Sequence, residues 1–249
     1  MRVAVVGTGL MGTSVLLAAE RAGFENVSLA DAELAVVAVP VRALPEVVSA
    51  VLAATPESCT VTDVGSTKAS ICAAAGDSPR FVGGHPMCGG DHPSAELFDG
   101  ATWFLTRDCA LVREFVIALG ATPMTIDPLA HDRLFALTSH LPHALANLLA
   151  IQAGKAARGA GPSLRDMTRV AGANPSVWVD IFLDNRAELL AALAEHRHAV
   201  GDLEAMLEAG DGDALETWIA EAAVNRRRVY ARPPSSGRPA ATHSSLPPG

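Results

Sequence analysis

A glycine-rich turn near the start of the chain constrains the fold more than any other feature. An apolar run at residues 3–6 is followed by Gly7-Thr8-Gly9-Leu10-Met11-Gly12 and then by a helix-forming stretch, 14–22. In such a strand, turn and helix, the first glycine permits the tight turn, the second lets a pyrophosphate approach the backbone, and the third lets helix and strand pack closely. The sequence therefore predicts a dinucleotide-binding domain that holds NAD or NADP through Gly7, Gly9, Leu10, Met11 and Gly12.

Short apolar runs rich in β-branched residues continue through the first half of the chain. They occupy residues 34–39, 60–64, 80–83 and 102–105. Helix-like stretches lie between them, at residues 44–54 and 109–119. Because strands that alternate with helices form mainly parallel sheets, we expect residues 1–128 to be a Rossmann-like, doubly wound α/β domain.

The second half has a helical pattern. From residue 129 to residue 230 no run is typical of a strand, while apolar residues recur at helical spacing in 134–153, 177–193 and 200–207. We therefore expect an all-helical substrate and dimerisation domain over 129–230. Its long apolar stretches exceed what one small domain can bury, which favours a homodimer. Residues 231–249, rich in Pro, Ser and Gly, are predicted to be a disordered tail.

The region after the first helix is predicted to be shortened. Asp31 lies about 20 residues past the glycine turn and closes an apolar run, where an acidic residue binds the adenosine ribose of NAD. The next strand-like run begins at Leu34, yet neighbouring parallel strands need a crossover of about 10 residues. Either residues 27–31 are not the second strand, or a helix and a strand are missing near 24–34, or the chain lacks a segment.

Composition restricts partners and compartment. The 19 Lys and Arg residues against 27 Asp and Glu residues give a net charge of −8, which excludes nucleic acid as a favoured partner. No apolar run reaches the roughly 18 residues of a membrane span, and the N-terminus has no signal-peptide pattern, so we expect no membrane association and a cytoplasmic location. The 4 cysteines include no C-x-x-C pair, which predicts reduced thiols.

Four further segments resemble the motifs of prephenate and arogenate dehydrogenases. In order, they are Thr62-Asp63-Val64-Gly65-Ser66-Thr67-Lys68, then Gly83-Gly84-His85-Pro86-Met87-Cys88-Gly89, then His131-Asp132 with Ser139-His140-Leu141-Pro142-His143, and Asp166-Met167-Thr168-Arg169 leading to Asn174-Pro175 and Trp178. The resemblance covers residues 1 to about 190. It implies oxidative decarboxylation of prephenate or arogenate, or of a 4-amino analogue, with hydride transfer to NAD(P)+, giving 4-hydroxyphenylpyruvate or tyrosine.

His85 is the candidate catalytic base. It follows an apolar run and is bracketed by glycines and Pro86, so we expect it in a loop at the carboxyl end of a strand, where open α/β sheets bind ligands. Imidazole is the side chain whose ordinary pKa lies nearest neutrality, which suits removal of a hydroxyl proton. The resemblance implies the same role for His85. It also implies that Ser66 orients His85 and the reacting hydroxyl, with Lys68 close to the cofactor; Ser66 alone could equally cap a helix.

Arg169 is the candidate for binding a substrate carboxylate. The substrate class carries two carboxylates, and a guanidinium offers them a bidentate fork. Arg169 lies among apolar residues such as Met167 and Val170, so we expect the segment to be buried and the charge to require an anionic partner. Asp166, one helical turn earlier, is expected to position Arg169, although an ordinary intrahelical ion pair is the alternative.

Two histidines and a tryptophan complete the candidate substrate site. His140 and His143 are spaced to face the same side of a helix, but no third ligand with metal-site spacing accompanies them, so we expect no metal. The resemblance suggests that His143 reaches the ring end of the substrate and that His140 supports it. Trp178 is a candidate pocket wall, although such a residue is more often part of a core.

Two other interpretations remain open. A 6-phosphogluconate-like or imine-reducing dehydrogenase also combines a glycine turn with a helical domain, but it would need a catalytic lysine in the helical half. Lys155 is the only lysine there, and its surroundings do not resemble such a site. A degenerate, non-catalytic relative is the other alternative, and the shortened region near 24–34 favours it.

Overall fold

A computed structural model describes residues 1–76, 78–154 and 159–230. The predicted tail, 231–249, and Lys155 lie outside the described residues. The described chain forms two compact units, the first of which is residues 1–194, while the second begins at residue 195. The predicted domain boundary at residue 128 does not coincide with this division, because helices before residue 194 pack against the sheet, and that boundary stays a prediction.

A five-stranded parallel sheet forms the centre of the first unit, in the order β2-β1-β3-β4-β5. The strands are β1 (Arg2–Val6), β2 (Glu25–Asn26), β3 (Leu34–Val37), β4 (Thr60–Asp63) and β5 (Phe81–Val82). The helices that follow β1, β3 and β4 are α1 (Leu10–Arg21), α2 (Leu44–Ala54) and α3 (Ala69–Ala75). All four residues of β3 are buried, which is typical of a strand covered on both faces.

Helices cover both faces of this sheet. Val15 of α1 packs in one apolar cluster with Phe115 of α4 (Ala110–Ala118), whereas Val48 of α2 packs in another with Ile71 of α3. The predicted doubly wound α/β fold is therefore confirmed.

A small second sheet extends the first. Gly83 separates β5 from β6 (Gly84–Pro86), which pairs antiparallel with β7 (Thr102–Leu105), and β7 pairs parallel with β8 (Thr122–Thr125). Strand β8 was not predicted from the sequence, since this mostly exposed strand contains a proline and no apolar run.

The chain runs unbroken through the region predicted to be shortened. β2 has only two residues, paired with Arg2 and Val3 at the start of β1, and Leu29–Asp31 forms a 3-10 turn. Residues 27–31 are therefore not a strand. The short connection to β3 suffices because β2 ends opposite Val3 of β1, the residue that also pairs with Leu34 at the start of β3, so the chain does not have to run back along the sheet through an α-helix.

One continuous helical stretch, Pro128–Ala153, begins the helical part. It comprises α5 (Pro128–Phe135), a π-helical turn (Ala136–His140) and α6 (Leu141–Ala153). By length and composition this stretch could cross a membrane, contrary to the expectation from the sequence. Its buried polar groups, however, bond to residues of the sheet domain, as Asp132 does to Lys68, and a helix surrounded by lipid could not make such contacts.

The remaining helices of the described chain are α7 (Pro162–Thr168), α8 (Pro175–Asp184), α9 (Arg186–Ala209) and α10 (Gly212–Val229). Asn174 caps the start of α8, and its side chain accepts a hydrogen bond from the amide of Ser176. Ile181 of α8 joins the cluster formed by α2 and α3, which brings α8 to the sheet. No described residue after Thr125 is in a strand, and the predicted all-helical second part is confirmed.

Candidate active site

The glycine turn after β1 fits a pyrophosphate. A Cβ atom on Gly7, whose φ is +120°, would lie 2.2 Å from the carbonyl oxygen of Ala38, and one on Gly12 would lie 2.1 Å from that of Gly7. Larger residues would therefore push the turn away from β3 and α1 away from the turn. The space in front of Gly9 is open, and Gly9 caps α1 without a side chain, so the first amides of the helix can face an anion.

His85 lies on β6, in a short strand rather than in the predicted loop, and only 9% of it is exposed. Its Nδ1 atom is 2.8 Å from Nε2 of His131, and Nδ1 of His131 is 2.8 Å from Oδ1 of Asp132. Phe104 and Phe135 pack edge-on against these rings. A buried chain of Asp132, His131 and His85 thus holds the inner edge of the His85 ring.

Burial sets the charge of these histidines. It lowers the pKa of His85 well below its ordinary value of 6.5, and positive charge on His131 and Lys68 would lower that pKa further. Burial also lowers the pKa of His131, against the opposing effect of its hydrogen bond to Asp132. His85 is therefore neutral near pH 7 and able to accept a proton.

Asp132 also caps helix α3. Its two carboxylate oxygens accept hydrogen bonds of 2.8 Å from the amides of Lys68 and Ala69, across more than 60 residues of chain. An acidic side chain on the free amides of a helix N-terminus stabilises that helix. Ser66, which the sequence analysis considered as a cap, makes no such contact and lies partly exposed on the cavity.

Lys68 is fully buried. Its ammonium group forms an ion pair with Asp63, which also accepts hydrogen bonds from the amides of Gly65 (2.7 Å) and Gly84 (2.9 Å). The pair thus ties the end of β4 to the strand that carries His85. This burial argues against the predicted direct contact between Lys68 and the cofactor, because the ammonium group has no exposed surface.

A cavity of about 180 Å³ lies in front of these residues. It is lined by Ser66, His85, Pro86, Met87, Cys88, Ser139, His140, Trp178 and Ile181. It is smaller than the roughly 300–1,000 Å³ of most ligand sites. Four candidates from the sequence therefore meet here: Ser66, His85, His140 and Trp178.

His140 and His143 differ from the sequence prediction, since His140 rather than His143 faces the cavity. His140 lines the cavity, and its Nδ1 is 3.0 Å from Nδ2 of Asn185, which also donates a 2.8 Å hydrogen bond to the carbonyl of Asp132. Burial lowers the pKa of His140 to about 4. His143 instead stacks on Trp178, with ring centroids 3.5 Å apart, and is not among the lining residues.

The segment around Arg169 is exposed. Arg169 lies in a 3-10 turn (Arg169–Gly172) on the surface of the first unit, and Met167 is 65% exposed. Asp166 pairs with Arg165 at 3.6 Å rather than with Arg169. The predicted buried segment and the predicted Asp166–Arg169 pair are therefore wrong for the single chain, because apolar residues here face outward.

Asp31 is also exposed, in the turn after β2. Its carboxylate accepts a 2.7 Å hydrogen bond from the hydroxyl of Ser28. Since β2 pairs only with the start of β1, Asp31 does not follow a strand that ends beside the glycine turn.

No role could be predicted from the sequence for four residues of this site: His131, Asp132, Asp63 and Asn185. Adjacent His131 and Asp132 were visible as a motif, but their function depends on contacts with residues 46 and 64 positions away. Asn185 follows the last residue of α8 and has no recognisable motif around it. Among the described residues, no group of three or more His, Cys, Asp or Glu side chains is arranged to bind a metal.

Two family models match most of the chain. The prephenate dehydrogenase nucleotide-binding domain matches residues 11–117, and the prephenate dehydrogenase dimerization domain matches residues 127–221. These matches meet between the sheet and the helical part.

Known proteins show the same likeness. Cyclohexadienyl dehydrogenase of Zymomonas mobilis is 32% identical over 211 residues, which cover 74% of this chain and 71% of the relative. Arogenate dehydrogenase of Synechocystis superposes with a TM-score of 0.81 at 24% identity, covering 92% of this chain and 100% of that one. Prephenate dehydrogenase of A. aeolicus, solved with hydroxyphenyl propionate and NAD+, has a TM-score of 0.78 at 24% identity, covering 92% and 98%.

Proposed function

Because the chain belongs to the prephenate dehydrogenase family, we propose that it oxidises and decarboxylates prephenate or arogenate with NAD+ or NADP+ as hydride acceptor. The observation that carries this proposal is the neutral imidazole of His85, held by His131 and Asp132 on a cavity at the carboxyl edge of a Rossmann-like sheet. Open α/β sheets bind cofactor and substrate at that edge.

The glycine turn supplies the cofactor site. Gly7, Gly9 and Gly12 bring the backbone close to a pyrophosphate, with the amides of Leu10 and Met11 at the positive end of α1. The bound nicotinamide supplies the hydride acceptor. Cys88, which lines the cavity, and Met11 of the glycine turn both pack against the same apolar cluster.

His85 moves the proton. Its outer nitrogen, Nε2, accepts the proton of the hydroxyl on the substrate ring, and Ser66 orients that hydroxyl. At the same time, hydride leaves the ring carbon that bears the hydroxyl. The ring carboxylate departs as CO2, and the electron pair of its bond completes the aromatic ring. His85 then returns its proton to the ring oxygen, which leaves 4-hydroxyphenylpyruvate or tyrosine.

Arg169 binds a carboxylate of the substrate in this proposal. No Lys or Arg side chain lines the described cavity, although a dicarboxylate needs a cation. Arg169 is exposed and has no ion-pair partner among the described residues, so its guanidinium is able to bind an anion. Asp166 of α7 and His143 of α6 lie on neighbouring helices and support the end of the site at which Arg169 binds the carboxylate.

We propose a cytoplasmic homodimer. The helices of the first unit leave many large apolar residues exposed, which a partner copy would cover. They are Leu134, Leu137, Leu148, Ile151, Met167, Val177, Val179, Leu183 and Leu190. All of them lie in the part that matches the dimerization domain.

The absorbance of the reduced nicotinamide tests the function. Purified protein is mixed with prephenate or arogenate and with NAD+ or NADP+, in all four combinations. We expect reduced cofactor and CO2 to form in equal amounts with at least one substrate. Tight NAD+ binding without turnover of either substrate would instead indicate a degenerate, non-catalytic relative.

A further inference from the structure

Two histidines line the cavity, and each is tied on its inner side to a buried polar group. His85 contacts His131, and His140 contacts Asn185, in both cases through Nδ1. Neither Nε2 atom has a hydrogen-bond partner among the described residues. A neutral imidazole carries its proton on only one nitrogen, so the buried partner decides whether the outer nitrogen donates or accepts.

The proton of His85 can be located by following the chain from Asp132. Every hydrogen bond to the Asp132 carboxylate comes from a nitrogen, two of them backbone amides, so this carboxylate is an acceptor. His131 must therefore donate from Nδ1, and its Nε2 carries a lone pair. His85 then donates from Nδ1 to that lone pair, which leaves its own Nε2 unprotonated and able to accept.

The proton of His140 follows from the orientation of Asn185. The amide nitrogen of Asn185 faces the carbonyl of Asp132 at 2.8 Å, and a carbonyl accepts only, so the amide cannot be turned round. The same nitrogen faces Nδ1 of His140 at 3.0 Å. That Nδ1 must accept, and the single proton of a neutral His140 is on Nε2, as a donor.

We propose that the cavity presents two imidazoles of opposite tautomer, His85 as acceptor and His140 as donor, and that Asp132 is the positioning residue for both. Its carboxylate acts on His85 through His131, and its carbonyl acts on His140 through Asn185. The catalytic consequence of these two tautomers rests on the proposed function. His85 takes the proton of the reacting hydroxyl, while His140 donates a hydrogen bond to an oxygen of the same substrate.

The opposite arrangement is unfavourable. If the proton of His85 were on Nε2, the lone pair of its Nδ1 would face the lone pair on Nε2 of His131 across 2.8 Å. His131 could avoid this only by carrying its own proton on Nε2, and it would then lose the hydrogen bond to Asp132. Either change leaves a buried polar atom without a partner and is therefore unfavourable. The buried ion pair of Lys68 and Asp63 adds no competing hydrogen bond to either ring.

Nitrogen NMR of the ¹⁵N-labelled full-length protein tests the tautomers without any turnover. The pattern of protonated and unprotonated ring nitrogens is read near pH 7, with His85→Asn and His140→Gln used for assignment. The exposed His92 and His198 serve as internal references. We expect His85 to be protonated at Nδ1 and His140 at Nε2. The same tautomer in both rings, or a mixture in either, would overturn the proposal.

Variants of His131 test the positioning. His131→Gln keeps an oxygen that can accept from His85, so we expect the wild-type tautomer and kcat within about fivefold. His131→Phe removes the acceptor: we expect His85 to lose its single tautomer and kcat to fall at least about 100-fold, with little change in KM. Phe135→Leu, which disturbs packing against His85 but no hydrogen bond, should keep both tautomers. An unchanged His85 tautomer in His131→Phe would contradict the proposal.

Asn185→Asp tests the second arm. A carboxylate cannot donate to Nδ1 of His140, so we expect that nitrogen to become protonated while the His85 tautomer stays as in the wild type. An unprotonated Nδ1 of His140 in this variant would refute the role of Asn185. If the tautomers are as expected but neither prephenate nor arogenate is turned over, the proposed function fails and the tautomer assignment stands.

Discussion

The buried imidazole of His85 determines how turnover responds to pH. The base must be neutral, and burial lowers its pKa well below the ordinary 6.5. A lowered pKa keeps the neutral form populated as the pH falls, so we expect kcat to stay nearly constant between about pH 7.5 and 6.5. It should fall only at lower pH. A half-maximal kcat at or above pH 6.5, in the wild type and equally in the exposed-site control His198→Gln, would contradict this expectation.

The buried ion pair of Lys68 and Asp63 gives a test of stability. Lys68→Met leaves an unpaired carboxylate in a dry interior, which costs about 3–5 kcal/mol of unfolding free energy. Urea denaturation measures this loss. The control Arg113→Met breaks an ion pair with Asp108 whose side chains are 50% and 69% exposed, so it should change stability little. A stable Lys68→Met protein with weakened cofactor binding would support the predicted cofactor contact instead.

Arg169 and Arg165 form a matched pair for testing substrate binding. Both are exposed, but within the described part of the chain only Arg165 of the two pairs with an acidic residue, Asp166. We expect Arg169→Gln to raise KM at least about tenfold, a loss of about 1.4 kcal/mol of binding, with kcat little changed. Arg165→Gln should leave KM unaltered. Equal effects of the two substitutions in steady-state kinetics would show that Arg169 has no specific role.

Among the secondary-structure elements, we expect the two-residue strand β2 to weaken the preference between NAD+ and NADP+. It pairs with Arg2 and Val3 at the start of β1, whereas the glycine turn follows the end of β1. The acidic residue that reads the ribose in related folds is thereby displaced from the cofactor edge. We expect kcat/KM for NAD+ and NADP+ to agree within about tenfold and Asp31→Asn to alter neither. A preference above about 100-fold would disprove the interpretation.

Most of the sheet could be predicted from the sequence, because β1, β3, β4, β5 and β7 are short apolar runs. The second strand could not be placed from the sequence, since the apolar run at 27–30 has a strand-like composition but follows the two-residue β2 and leads into a 3-10 turn. His85 and Ser66 could be found because glycine and proline mark their turns. Asn185 could not be found, since its role depends on a partner 53 residues away in sequence. Arg169 was expected to be buried because local apolar composition does not distinguish a core from a surface that a partner covers.

For the whole molecule, the active-site cavity draws on both halves of the chain. Strand β6 and the loop after β4 supply His85 and Ser66, whereas the helical part supplies His140 and Trp178 and places His131 behind His85. The helical part therefore has two tasks in this account, since it completes the cavity and exposes the apolar residues that a second copy would cover. In the stretch Pro128–Ala153, the exposed apolar residues would be covered by the second copy, whereas buried polar residues such as His140 complete the cavity.

The most direct test of this account is the steady-state kcat of His85→Asn with the better of the two substrates. Asparagine keeps a polar group of similar size but cannot take the hydroxyl proton. We predict that kcat falls by about 10²–10⁴ while KM changes little and the protein remains folded by circular dichroism. Turnover near the wild-type rate in a folded His85→Asn protein would show that His85 is not the base.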